Sequence, residues 1–226
     1  EWQGFIDPAR LPFVRNPEKG FFATANEMNL PADWDHEALP VGFEWTEPSR
    51  ATRIHEILEA GGPVSVADCA ALQTDSTSIP ARRLCALAAG LADVSPEVAA
   101  AKALFSGWNH ALGVDSAPAA LFELWYTRHL RAALFAALTP EAARPLLPPG
   151  DVEGICRAFE APDARFGADP LAGRDAVLAT SLAAAWQDAA ARLGKDPSGW
   201  RWGALHHGYF EHPLTPLTQR DPNRSR

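Results

Sequence analysis

The stretch that decides the reading is NPEKGFFATANEMN, residues Asn16 to Asn29. A Pro-Glu-Lys-Gly turn leads into the apolar run Phe21-Phe22-Ala23, which leaves through polar Asn26, Glu27 and Asn29. Gly20 relieves the turn, and paired aromatics suit a buried strand. An asparagine at the end of such a strand holds a neutral amide donor on a rigid support. That is the kind of group that stabilises an oxyanion. The commoner role of asparagine in such a place is to form a turn, its side chain bonding nearby backbone.

Composition sets the class. The 226 residues are 47% hydrophobic and 21% charged, ordinary for a globular chain of one or two domains. The net charge of −8 argues against a general nucleic-acid binder, and Arg82-Arg83 and the basic Arg220 to Arg226 tail are too small or too terminal to reverse that. Cys69, Cys85 and Cys156 are far apart, odd in number and without zinc-site spacing, so they read as small core residues. No membrane span is expected, because the longest apolar candidate, Ala117 to Leu138, is interrupted by Glu123, Arg128, His129 and Arg131.

Strands are expected over 2–6, 11–14 and 20–25, followed by an irregular, proline-punctuated loop over 31–48. From Ser49 the period becomes helical. Ala51, Ile54, Ile57 and Leu58 share a face that ends at Gly61-Gly62, and Ser65 to Asp68 resembles a capping box opening a helix that ends at Ile79-Pro80. Further helices are expected over 81–91, over 96–105 behind a Ser95 cap, from Asp115-Ser116 as one long helix, after Thr139-Pro140, and through Leu178 to Gly194. Residues 161–172 read as a loop. Ser76 and Ser78 lack a nucleophile-elbow context. His206, His207 and His212 could meet a metal, but no carboxylate or cysteine pattern supports one, and none is expected.

Several elements in one order give a wider context. Trp2, Gly4 and Ile6 precede Leu11-Pro12 and NP-x-x-G-[aromatic]-x-A-T-A-N, and Trp45, Arg50-Ala51 and Arg53-Ile54 follow. Then come Leu72-Gln73, Asp75, Ser78 and Ala81, Gly107-Trp108, Asp115-Ser116, and Trp200-x-Trp202-Gly203 leading to His206, Phe210 and His212-Pro213. Together they resemble the penicillin acylase family of N-terminal-nucleophile amidohydrolases, over nearly the whole chain.

The resemblance implies an α+β class, with the chain a piece of an αββα fold. Residues 1–48 would belong to the catalytic sheet domain, 49–214 would be helical, and 215–226 a disordered tail. It implies a serine nucleophile whose own α-amine is its base, exposed by self-cleavage. Because Glu1 cannot play that part, the chain is expected to be the C-terminal part of the larger, nucleophile-bearing subunit, inactive alone. Its expected partners are the rest of that subunit, a smaller subunit and a small-molecule acyl amide.

Asn26 matches the family's oxyanion-hole asparagine, and Arg53 an arginine close to it that supports the active site. Glu27 departs from a common second asparagine and would change charge at the pocket rim. The chemistry needs no cofactor. The full enzyme could carry a structural calcium, for which Asp33 and Asp35 are possible counterparts, although two loop carboxylates are more often simply solvated. A periplasmic or extracellular location follows from the resemblance alone. The expected activity is cleavage of an acyl–amine amide. Penicillins or N-acyl homoserine lactones are candidate substrates, and a non-catalytic helical module or an apolar-ligand carrier is the alternative.

Overall fold

The computed structural model describes residues 4–92, 95–148, 150–208 and 210. Its helices are α1 (Ser49–Glu59), α2 (Val66–Gln73), α3 (Ile79–Ala89), α4 (Pro96–Phe105), α5 (Ala117–Leu124), α6 (Arg131–Leu138), α7 (Val152–Glu160) and α8 (Pro170–Leu193). Short side chains start most of them. Ser65, Ser78, Ser95, Ser116, Asp151 and Asp169 each accept a backbone N–H from the first turn, and Ser65 with Asp68 closes a full capping box. Pro80 does not end a helix as expected; it sits in the first turn of α3, where a missing N–H costs nothing. The loop expected over 161–172 is interrupted by a 3-10 turn, Ala164–Phe166, and gives way to α8 at Pro170.

The 24-residue α8 is the centre of the bundle and packs on α4, α5 and α6. Trp125, Phe122, Phe159 and Trp200 are fully buried around it. Both buried indoles keep a partner: Trp125 Nε1 donates to Ser181 Oγ at 2.9 Å, and Trp200 Nε1 to the Gly194 carbonyl at 2.7 Å. Arg83 ties α3 to α7 by donating to both oxygens of Glu160 at 2.7 Å and to Glu153 at 2.5 Å. These ion pairs raise its pKa, with Glu160 the main cause.

The long helix expected from Ala117 forms, but its middle, Trp125–Leu130, has π-helical winding. A π turn brings residues five apart onto one face. Trp125 and Leu130, five apart, are both fully buried. The wider winding lets a sequence with apolar residues on most faces keep feeding the core.

The strands expected over 11–14 and 20–25 do not form; that over 2–6 lies partly outside the described residues, and residues 4–6 are not strand. Among the described residues the only β pairing is an isolated bridge between Thr77 and Ala111. A strand needs a partner for its N–H and C=O groups, and residues 4–48 find none here. Phe5, Phe13, Phe22 and Phe43 are left exposed. The described residues are therefore mostly helical, and the strand part of the α+β class is not seen among them. The expected disordered tail, 215–226, lies outside the described residues.

Candidate active site

Asn26 sits in a left-handed backbone conformation, φ 68°, which asparagine tolerates better than most residues. The preceding Ala25 is buried. Thr46 clamps this corner twice: its N–H donates to the Asn26 carbonyl at 2.8 Å, and its hydroxyl to the Ala25 carbonyl at 3.0 Å. Glu27 folds back so that its carboxylate accepts the Ala25 N–H at 2.6 Å.

The decisive contact comes from α1. Arg50 Nη2 donates to the Ala25 carbonyl at 2.7 Å and to Asn26 Oδ1 at 2.8 Å. One guanidinium nitrogen therefore fixes both the backbone and the side chain of the corner. With Oδ1 engaged, the Nδ2 donor of this exposed residue is left without an acceptor among the described residues. An exposed, oriented, neutral N–H donor is what a developing oxyanion requires.

Arg53 lies one turn further along α1 and faces elsewhere. It donates to Asp75 Oδ2 from Nε at 3.1 Å and Nη2 at 2.8 Å, and to Glu56 at 3.0 Å. Arg82 reaches the same Glu56 at 2.5 and 3.3 Å, and Asp75 Oδ1 accepts the Thr77 N–H at 2.8 Å. This network joins α1, the 74–78 turn and α3. The Arg53 hydrogen bonds hold the Asp75 carboxyl down to about 2, and Asp75 is in turn the main cause of a raised Arg53. Glu56 is held low chiefly by Arg82.

The two arginines thus divide the work: Arg50 holds Asn26, and Arg53 holds the 74–78 turn through Asp75. Both border a cleft of about 440 Å³ that also takes in Glu47, Asp75, Ser76 and Ser78. Spacing could not separate the arginines, since both occupy the first turns of α1; only the path of the 25–46 loop across the helix start does so. In the same cleft Ser78 Oγ accepts the Ala81 N–H as a helix cap, not as a nucleophile.

The remaining candidates are placed apart from this corner. His206 stacks on Trp202, with centroids 4.8 Å apart and rings 7° from parallel; His212 lies outside the described residues. Asp35 Oδ1 accepts the Glu37 and Ala38 N–H groups at 3.0 and 2.9 Å, which commits it to a turn. Among the described residues no three His, Cys, Asp or Glu converge. Cys85 and Cys156 are buried, and burial pushes their thiols up to about 12 and about 11. No helix among the described residues is long and apolar enough to cross a membrane.

The family model described as "Penicillin amidase" matches residues 1–225. The acyl-homoserine lactone acylase QuiP of Pseudomonas syringae pv. syringae is 29% identical over 237 residues, covering 91% of this chain and 27% of its own length. The QuiP proteins of Pseudomonas fluorescens strain Pf0-1 and Pseudomonas aeruginosa are 28% and 27% identical, with 91% of this chain and 28% and 27% of their lengths covered. The chain spans little more than a quarter of the curated relatives it matches.

Proposed function

The chain belongs to the penicillin amidase family, and from that membership we propose that it is a segment of an amidohydrolase that cleaves the bond between an acyl group and an amine. The observation that carries the proposal is the bond from Arg50 to Asn26 Oδ1, which leaves Asn26 Nδ2 without an acceptor among the described residues. In this reading a serine hydroxyl supplied outside these residues, with its own α-amine as base, attacks the acyl carbon. The carbonyl oxygen takes the electron pair, and Asn26 Nδ2 donates to it. Collapse expels the amine with the transferred proton, and water then releases the acyl group from the serine. Donors of this kind contribute roughly 3–4 kcal/mol to the transition state.

The names of the relatives favour N-acyl homoserine lactones over penicillins as substrates. The reading includes self-cleavage of a precursor, a smaller partner subunit, a periplasmic or extracellular location and no cofactor in the chemistry. It is tested by incubating the complete protein with N-decanoyl homoserine lactone and with penicillin G while assaying the freed amine, alongside intact-mass measurement. Two chains, the larger beginning with serine, together with lactone hydrolysis, are expected. A single uncut chain that frees neither amine overturns the proposal.

A further inference from the structure

A second cavity, of about 660 Å³, lies between α6, α7 and residues 139–148 and shares no lining residue with the cleft beside Arg50 and Arg53. Its walls are apolar, among them Leu134, Leu138, Leu147 and Ile155, and its only charged lining groups are three arginines, Arg131, Arg157 and Arg165. This is unexpected in a chain of net charge −8. The rim is built: Arg144 donates to the Thr139 and Ala136 carbonyls at 3.1 and 2.7 Å, pinning the connection to the end of α6.

Arg157 and Arg165 have local carboxylate partners, Glu153 and Asp163. Arg131 has none among the described residues. Its guanidinium lies 5.9 Å from the centre of the Tyr126 ring, and its Nε is shut off from solvent with no hydrogen-bond acceptor. Closed to water, this Nε is equally closed to a ligand oxygen, so the terminal guanidinium nitrogens are the donors left to meet an anion.

We propose that this cavity binds a single-chain amphiphilic carboxylate, its head group on Arg131 and its apolar chain along Leu134, Leu138 and Ile155. A planar guanidinium matches a carboxylate, and an apolar cavity with a few converging polar groups is the usual form of a small-molecule site. The exposed Arg157 and Arg165 line the mouth and draw the anion in.

The site does not depend on the proposed hydrolysis and is tested by binding alone. Decanoate is titrated into the complete protein by isothermal titration calorimetry, with decanol as the uncharged control. Saturable decanoate binding is expected, with decanol and the Arg131→Met protein each weaker by about tenfold or more. Asn26→Asp should leave this binding unchanged. Should Arg131→Met fail to fold, the Arg157→Gln/Arg165→Gln double variant takes its place and should also bind several-fold more weakly. No saturable binding, because another part of the polypeptide fills the groove, overturns the proposal. So does equal affinity for decanol, or wild-type affinity in the folded arginine variant.

Discussion

Arg50 holds Asn26 by its side-chain oxygen, at 2.8 Å, while the same nitrogen holds the Ala25 carbonyl at 2.7 Å. A residue on the first turn of a helix thereby sets which end of a loop carboxamide is held and which is left to donate. The loop alone could not do this, because a carboxamide on an exposed corner rotates freely about its last bond.

The first prediction concerns that pair. Asn26→Asp keeps the left-handed backbone and an acceptor for Arg50 but replaces the N–H donor with oxygen. Amide hydrolysis by the complete protein should fall roughly 10²–10³-fold in kcat. Arg50→Met should lower kcat with a smaller change in KM, because it releases the donor without removing it. Wild-type kcat in both variants would remove Asn26 from the chemistry.

Asp75 and Arg53 should make stability depend on acid. The Asp75 carboxyl ordinarily titrates at 3.8 and is held at about 2 when folded. A group whose folded pKa is depressed contributes stability that is complete above its unfolded value and is lost as pH falls toward the folded one. The loss should therefore run from about pH 4 down to about pH 2 and amount to roughly 1–2 kcal/mol after solvent screening. Urea midpoints of wild type and Asp75→Asn at pH 7 and pH 3 read it out. The gap seen at pH 7 should be roughly halved at pH 3 and close only below about pH 2; a constant gap would rule out this linkage.

In the core, Ser181→Ala removes the acceptor of the buried Trp125 indole N–H. A stranded buried donor costs about 1–3 kcal/mol. The urea midpoint should fall accordingly, while Ser181→Thr should retain most of the bond. An unchanged midpoint for the alanine variant would mean the indole finds another acceptor.

The cysteines should react in two classes with a thiol reagent at pH 8. Cys69 is exposed, whereas Cys85 and Cys156 are buried with raised thiols. One thiol should titrate in the native protein and two more only in denaturant. Rapid labelling of all three would contradict the packing of α3 on α7.

Much of this chain was legible before any coordinates. Ser65, Ser95 and Ser116 begin helices because capping is a contact over three residues, so the local sequence is enough to locate it. The ordered motifs around Asn26 likewise pointed to the family that the comparison with known proteins bears out. Proline misled at Pro80, where the same ring that ends a helix also suits its first turn.

What the tertiary structure alone decided is long in range. Arg50 rather than Arg53 meets Asn26 because the loop from Ala25 to Thr46 crosses α1 at its first turn, a meeting of residues more than twenty positions apart. The unformed strands over 11–14 and 20–25 have the same origin. Phe21 and Phe22 carry the side chains of a strand, but strand hydrogen bonds belong to a pair, and residues 4–48 have no partner among the described residues. Capping and periodicity are properties of neighbouring residues, so the sequence by itself determined the helices. Pairing and the division of labour between two arginines depend on where distant segments meet, and only the folded chain decides that.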